Sequence, residues 1–177
     1  MKDAQVFPIN DPNAFVCRLR LEHVEPLQRL FDQCADFALL VEGEGVNPSA
    51  AQEIFQLLPA GKSLTDKFLY GILDRNQAVV GVLEGICDYP DKTSWWIGLL
   101  MLAPEVRRHG LGRKIIDAFS EYVRSNQGTA IMLGVVEENQ VAYRFWQGLG
   151  FELVRHTEPR QFGRKIQKVY IMRRNLV

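Results

Sequence analysis

The residue types with the clearest chemistry lie in the segment 107–112, which reads RRHGLG and separates an apolar run from a run of helical periodicity. Gly110 and Gly112 can adopt a positive φ at no steric cost, so successive backbone N–H groups can turn toward one bound group. A helix that begins here leaves its first N–H groups unpaired and adds the positive end of its dipole. The basic side chains in and directly after the segment are Arg107, Arg108, His109, Arg113 and Lys114. The segment therefore predicts a cradle for an anion, with a phosphate-bearing ligand as its natural occupant.

The spacing within this segment limits the other interpretations. A glycine pair before a helix is also typical of a tight turn, and an arginine pair is also typical of a solvated face, so a purely structural role stays open. The glycine spacing does not fit the Walker motif, and Ile115 stands where a dinucleotide fingerprint has its third small residue. The pattern therefore supports neither nucleoside-triphosphate hydrolysis nor nicotinamide chemistry.

The elements that must position this cradle follow from hydrophobic periodicity. Three strand-like runs precede the cradle and are separated by turn residues, which predicts an antiparallel meander. The predicted order is a strand over 15–21, one helix over 22–40, a loop over 42–48, a short helix capped by Ser49, strands over 68–74, 78–88 and 93–102, a helix over 111–123, a strand over 129–136, a helix over 139–149, and strands over 151–157 and 168–173. The strands on either side of the cradle helix are expected to be parallel. The predicted fold class is α/β, with a twisted mixed β-sheet flanked by helices.

Length and composition favour a single domain over residues 1–177, with residues 1–14 as an N-terminal extension. The chain is 47% hydrophobic and has a formal net charge of zero, so a general affinity for nucleic acid is not expected. The three cysteines are far apart and lack the spacing of metal ligands, so neither a disulfide framework nor a metal site is predicted. The longest apolar run is shorter than the roughly 20 residues that span a bilayer. We therefore expect a cytoplasmic protein with no membrane partner.

Two linked motifs carry a resemblance to a known family. The segment 102–112 resembles the acetyl-CoA-binding segment of the GCN5-related N-acetyltransferase (GNAT) superfamily, whose signature is Arg/Gln-x-x-Gly-x-Gly/Ala after a strand and a proline. The segment 139–151 is similar to the family's downstream motif, in which Asn is followed by Ala, by an aromatic pair and by Gly-Phe. The end of the chain, 169–176, is similar to the closing strand. Because two motifs in the correct order are more specific than either alone, the resemblance is strong over 68–176 and rests on element order before that.

The resemblance implies a GNAT-like fold and an N-acetyltransferase that uses acetyl-CoA as co-substrate. In the family, a primary amine attacks the thioester directly in a ternary complex, the pantetheine amides pair with the fourth strand, and the pyrophosphate binds N–H groups of the loop, here 108–113. The contacts with acetyl-CoA that this predicts are Leu100, Met101, Leu102, Arg107, Arg108, His109, Gly110, Leu111, Gly112, Arg113, Asn139, Tyr143 and Trp146. The implied partners are acetyl-CoA and an amine substrate, and the oligomeric state, a homodimer included, stays open.

The chain departs from the family at two places that bear on proton transfer. Many members have a tyrosine where this sequence has Trp146, and an indole N–H is a hydrogen-bond donor but not a usable general acid. The frequent glutamate of the fourth strand has no counterpart in the segment 93–98, which reads TSWWIG. Glu84, on the third strand, and the hydroxyl of Tyr143 are therefore the candidate catalytic groups. Asp88, at the end of the third strand, and the hydroxyl of Tyr89 stay open as alternatives. Each also has a plainer interpretation, a solvated carboxylate for Glu84 and core packing for Tyr143, just as Asn139 can be an ordinary helix N-cap.

These departures leave a second function open. A non-catalytic acyl-CoA-binding or regulatory module with the same fold would need no general acid or base. A covalent intermediate is not expected, since none of the residues Cys17, Cys34 and Cys87 has a neighbouring histidine in the sequence. The acceptor stays open among an antibiotic amine, a polyamine, an amino acid and a protein amine. Its recognition is expected in the segments 42–61 and 155–167.

Overall fold

A seven-stranded mixed β-sheet is the frame of the protein in the computed structural model, which describes residues 6–176. Its strands are β1 (Ala14–Arg18), β2 (Lys67–Asp74), β3 (Val79–Ile86), β4 (Ser94–Leu102), β5 (Ala130–Val136), β6 (Glu152–His156) and β9 (Val169–Asn175). They lie in the order β1-β2-β3-β4-β5-β9-β6. Strands β4 and β5 are parallel, and the other neighbouring strands are antiparallel. A separate hairpin is formed by β7 (Arg160–Phe162) and β8 (Lys165–Gln167).

The α-helices of the described chain flank this sheet. They are α1 (Val24–Gln33), α2 (Ala35–Glu42), α3 (Ala50–Glu53), α4 (Leu111–Ser125) and α5 (Gln140–Gln147), and short 3₁₀ turns precede α1 and α4. Phe119 of α4 packs on Phe68 of β2, with ring centroids 5.2 Å apart. Because side chains alternate between the faces of a strand, Lys67 and Leu69 point to the opposite face of the sheet. Within residues 6–176, none of the helices has the length and apolarity that a membrane crossing requires.

The predicted α/β class with a mixed sheet and flanking helices is confirmed, and so is the parallel pairing of β4 with β5. The helix predicted over 111–123 is α4, whose apolar positions are buried at helical spacing, among them Ile115, Phe119 and Val123. An apolar stripe at helical spacing is a direct consequence of packing one helix face against the core, so it is a strong sequence signal.

The prediction of one helix over 22–40 is wrong. The chain forms α1 and α2, which are separated at Cys34, where φ is −100° and ψ is 28°. The Cys34 N–H bonds to the carbonyls of both Leu30 and Phe31 and ends the first helix there. Apolar spacing continues through this position, so the periodicity contained no sign of the break.

Ser49 occupies the predicted N-cap position of α3, but its side chain makes no capping hydrogen bond. Instead, the Asn47 side-chain carbonyl accepts from the Ser49 N–H at 2.9 Å, and its amide donates to Glu53 at 3.1 Å. The short helix predicted after Ser49 is α3, which ends at Glu53. The hairpin of β7 and β8 was not predicted, because three-residue strands are too short to show a periodicity.

Candidate functional site

The parallel strands β4 and β5 separate in the middle of the sheet. Their pairing joins Ser94–Ile97 to Ala130–Leu133 and ends there, although β4 continues to Leu102 and β5 to Val136. Beyond this point β4 remains paired with β3 on one edge, and its other edge faces the opening. Unpaired backbone groups along a strand edge can bind an extended ligand by adding hydrogen bonds to it. The predicted pantetheine contacts, Leu100, Met101 and Leu102, lie on this part of β4.

A bulge in β4 marks the level at which the strands separate. Leu99 lies opposite Glu84 of β3 and Ile97 lies opposite Gly85, so Gly98 is the extra residue. A Cβ atom at position 98 would overlap with the carboxylate of Glu84. The absence of a side chain at Gly98 lets a carboxylate from the neighbouring strand lie against the β4 backbone.

The Glu84 carboxylate is paired with a buried cation. The Lys67 ammonium donates to Glu84 Oε1 and also to the Leu57 carbonyl, the latter at 3.0 Å, and the Lys67 and Glu84 side chains are only 4% and 12% exposed. Burial raises the pKa of Glu84, while the hydrogen bond from Lys67 opposes that rise. The interpretation of Glu84 as a solvated carboxylate is therefore wrong. Lys67 was missed, although it is a charged residue directly before a buried apolar run, which is a usable signal.

The segment 107–112 has the backbone shape that an anion cradle needs. Two residues have positive φ, Arg108 at 64° and Gly110 at 80°, and a Cβ at Gly110 would meet no atom of the described chain within 4 Å. Helix α4 begins directly afterwards at Leu111 with no side-chain cap, so its first N–H groups stay available.

Gly112 does not use the positive φ that glycine allows, since it lies inside the first turn of α4. A Cβ at position 112 would lie 3.2 Å from Phe145 Cζ of α5. The second glycine thus lets α5 approach α4 closely, and the second positive φ of the cradle comes from Arg108. Glycine identity alone does not distinguish a conformational requirement from a packing one.

The Arg107 side chain connects α2 to the end of β4. Its guanidinium pairs with both carboxylate oxygens of Asp36, at 2.6 and 3.2 Å, and its Nε donates to the Leu102 carbonyl at 2.7 Å. The hydrogen bond from Arg107 lowers the pKa of the Asp36 carboxyl, and the same contact raises the pKa of Arg107. Arg107 therefore holds the strand end next to the cradle, and its predicted contact with phosphate stays a prediction.

The other basic side chains divide into engaged and unengaged groups. Arg113 donates to the Gly148 carbonyl at 2.8 Å, and Lys114 pairs with Asp11 at 3.0 Å. The side chains of Arg108 and His109 are exposed and make no hydrogen bond or ion pair with residues 6–176. These two are the basic side chains of the cradle that the described chain leaves without a polar partner.

The three residues at helix α5 that are predicted to contact acetyl-CoA lie in different surroundings. The Asn139 side-chain oxygen accepts from the Ala142 N–H at 3.0 Å, which is the N-cap role and leaves the amide N–H groups for another partner. Tyr143 is half-buried, with its ring 5.0 Å from that of Tyr170. Trp146 is 6% exposed and belongs to the core.

The two segments predicted to recognise the acceptor meet each other. The Arg164 N–H donates to the Glu42 carbonyl at 2.7 Å, and the Lys165 ammonium donates to the Leu40 carbonyl at 3.0 Å. The hairpin of β7 and β8 is thus fixed to the C-terminal end of α2. Within residues 6–176, no group of His, Cys, Asp and Glu side chains could hold a metal ion.

A comparison with protein families agrees with this geometry. A sequence model described as the acetyltransferase (GNAT) family matches residues 27–151. No curated protein matches the chain significantly.

Solved structures share this fold over nearly the whole length of the chain. An acetyltransferase from Thermus thermophilus is 18% identical and has a TM-score of 0.75, with 92% of this chain and 97% of that one covered. A GCN5-related N-acetyltransferase from Kribbella flavida is 19% identical, with a TM-score of 0.67 and coverages of 92% and 98%. The spermidine N-acetyltransferase of Vibrio cholerae, in complex with CoA and spermine, is 17% identical, with a TM-score of 0.73 and coverages of 94% and 97%. At these identities the likeness shows the fold alone.

Proposed function

Because the chain belongs to the acetyltransferase (GNAT) family, we propose that it transfers an acetyl group from acetyl-CoA to a primary amine by direct attack in a ternary complex. The observation that carries this proposal is the opening between β4 and β5, which has the cradle at one end and the buried Glu84 carboxylate beside the bulge. A module for binding alone would not need a desolvated carboxylate at that level of the sheet.

The residues around the opening fit the shape and charge of acetyl-CoA. The open space at Gly110, the free N–H groups at the start of α4 and the unengaged Arg108 and His109 suit a pyrophosphate. The edge of β4 at 100–102 has no strand partner and suits the pantetheine amides, with the Leu102 carbonyl already accepting from Arg107, and the Asn139 amide can add a donor. When bound, acetyl-CoA supplies an acetyl thioester with a thiol leaving group.

The chain's own contribution to proton transfer lies at Glu84. The acceptor enters the site as an ammonium ion and attacks only as a neutral amine, so a group at the bulge must remove a proton. Glu84 can accept that proton, and the Lys67 ammonium favours its ionised form although burial opposes it. Burial raises the pKa of the Cys34 thiol and raises that of Cys87 to about 12, so neither is a ready nucleophile.

We expect Glu84→Gln to lower kcat by about 10²-fold or more, because an amide cannot accept the ammonium proton. Wild-type kcat should fall as the pH decreases through the Glu84 pKa, which lies above the ordinary value of 4.5, and the variant should lack this limb. Acetyl-CoA affinity, measured by calorimetry, should not change.

Glu84→Gln leaves the buried Lys67 charge unpaired, which can destabilise the fold by itself. The double variant Lys67→Gln/Glu84→Gln removes both charges and keeps polar groups in contact, so it serves as the control. A folded double variant with wild-type turnover and an unchanged pH profile would exclude Glu84 as the base.

We also propose that Tyr143 donates the proton that the leaving thiolate requires. Tyr143 is half-buried, and its hydroxyl accepts an exposed hydrogen bond from Gln147 at 3.4 Å. The hydroxyl donates to no acceptor within residues 6–176. Tyr143→Phe should lower turnover by about 10²-fold without loss of acetyl-CoA affinity. Tyr170→Phe is the matched control, since it removes the hydroxyl of the ring packed on Tyr143. Near-wild-type turnover in Tyr143→Phe would leave this proton to water.

A non-catalytic acyl-CoA-binding module is the second candidate. The burial of Trp146, which has no hydroxyl at the position where many relatives have one, is the observation in its favour. Acetyl-CoA turnover with a panel of primary amines separates the two functions. Tight binding of acetyl-CoA with no acetylation of any amine would support the module.

A further inference from the structure

Helix α2 spans the opening between β4 and β5 beyond their last pair. Its first turn is held near the end of β4, where Asp36 pairs with Arg107. Its last turn is held beside the start of β9, because the Gln167 amide donates to the carbonyls of Leu40 and Val41 at 3.3 and 2.7 Å. Its eight residues extend over about 12 Å, which exceeds two strand spacings of about 4.8 Å. The helix therefore reaches from β4 across the end of β5 to β9.

This helix is apolar, yet it contributes nothing to the hydrophobic core. Six of its eight residues are apolar, none is fully buried, and the core of residues 6–176 includes none of them. Asp36 and Leu39 are exposed, Leu39 at 54%. Phe37, Leu40 and Val41 are half-buried and share one side of the helix by their spacing, and we call these three residues the inner stripe. Because α2 is tied to the sheet at both ends, this half-buried side is the one that faces the opening.

The inner stripe lies on the face of the sheet that carries Glu84. A Cβ at Gly134 would lie 2.8 Å from Val169 Cγ1 and 3.7 Å from Trp96 Cζ2, so Val169 and Trp96 share one face. Gln167, two positions before Val169, reaches α2 from that face. Trp96 pairs two positions along β3 from Glu84, so the carboxylate is on the same face.

Apolar surface also lies on the other side of Glu84. Trp96 is half-buried and outside the core, and its ring meets Tyr89 edge-on with centroids 5.8 Å apart. The carboxylate therefore lies between an aromatic pair and the inner stripe. Apolar side chains that stay partly exposed beside a cleft with a few polar groups are typical of a ligand site.

Resting on the proposed acetyl transfer, we infer that the acceptor is a monoamine whose primary amine is borne on an apolar body, alkyl or aromatic. The amine lies at Glu84, and the apolar body lies against the inner stripe. Binding removes the body and the stripe from water together, which stabilises the complex. A second ammonium at the same place would lose its hydration against apolar side chains. The stripe therefore selects a monoamine over a diamine of equal length.

Three probes of equal chain length isolate the group at the far end: 1-aminohexane, 6-amino-1-hexanol and 1,6-diaminohexane. We expect kcat/KM with 1-aminohexane to exceed that with 1,6-diaminohexane by about tenfold or more, with the amino alcohol between them. Leu40→Gln should bring this ratio to near one, mainly by raising KM for 1-aminohexane, and should leave acetyl-CoA affinity unchanged. Leu39→Gln is the matched control, since it makes the same change at an exposed position of the same helix, and it should keep the wild-type ratio.

A second variant covers the case in which Leu40→Gln fails to fold. Val41→Thr keeps the shape of the side chain and adds a hydroxyl to the inner stripe, so it should lower the same ratio with little effect on the fold.

The outcomes separate this inference from the function on which it rests. A wild-type ratio at or below one, or a ratio that survives in both stripe variants, overturns the inference and leaves the acetyl transfer supported. A loss of acetyl-CoA affinity in these variants with an unchanged ratio assigns the stripe to the pantetheine arm and overturns the inference in the same way. Acetylation of other amines in a broad panel but of none of the three probes does so too. Acetylation of no amine at all overturns both.

Discussion

Trp146→Ala is expected to lower the free energy of unfolding by about 3–5 kcal/mol, because it removes a large buried ring. The ring is 6% exposed, and its centroid lies 5.0 Å from those of both Phe145 and Phe151. Edge-on contacts of this kind contribute beyond the area that they bury. Urea unfolding followed by circular dichroism measures the change.

Two further variants show whether burial is the cause. Val141→Ala lies on the same helix at a side chain that is 71% exposed, so it should change stability by about 0.5 kcal/mol or less. Trp146→Phe keeps an aromatic ring in the core and should retain much of the turnover. If Trp146→Ala unfolded at the same urea concentration as the wild type, the ring would not stabilise the core. A direct contact with the thioester would then be the better explanation for a tryptophan at this position.

The sequence predicts those parts of the fold whose signal lies within one helix or strand, or in the order of neighbouring elements. Helix α4 was predicted because its own apolar stripe defines it, and the parallel β4–β5 pair followed from the strand–helix–strand order. The break at Cys34 was not predictable in this way. It depends on which carbonyls accept the Cys34 N–H, and the hydrophobic spacing is the same with or without it.

The candidate site was predictable where backbone shape follows from residue type. Gly110 has the expected positive φ, and the loop leads into α4 as the motif requires. The candidate base at the bulge, Glu84, was predicted without its partner, because Lys67 and Glu84 are 17 positions apart and meet only through the pairing of β2 with β3. Arg107 shows the same limit, since its ion pair with Asp36 spans 71 positions.

Contacts within the protein explain why the number of basic residues in the loop exceeds the number of basic side chains that are free to contact a ligand. Of the five basic residues in and after the segment 107–112, three are engaged by Asp36, Gly148 and Asp11. These three side chains tie the loop and the start of α4 to neighbouring segments, and of the five only Arg108 and His109 have no polar partner in residues 6–176. Backbone N–H groups consequently carry a larger share of the expected affinity than the composition of the segment suggests.

Gly110→Val is therefore expected to weaken acetyl-CoA binding at least tenfold while the protein stays folded. The residue has a φ of 80°, which a β-branched side chain adopts only at a cost, and the new side chain would fill the space in front of the free N–H groups of α4. Calorimetry with acetyl-CoA measures the loss.

Two controls separate the cradle from general backbone strain. Gly150→Val introduces the same side chain at a φ of 81° outside the cradle, where the nearest atom to a new Cβ is Arg174 Nε at 4.0 Å. It should lower stability by a similar amount and leave acetyl-CoA affinity unchanged. Gly110→Asn should keep most of the affinity, because asparagine tolerates the left-handed conformation. Equal affinity of Gly110→Val and wild type would show that the segment 107–112 is a structural turn and that the phosphate binds elsewhere.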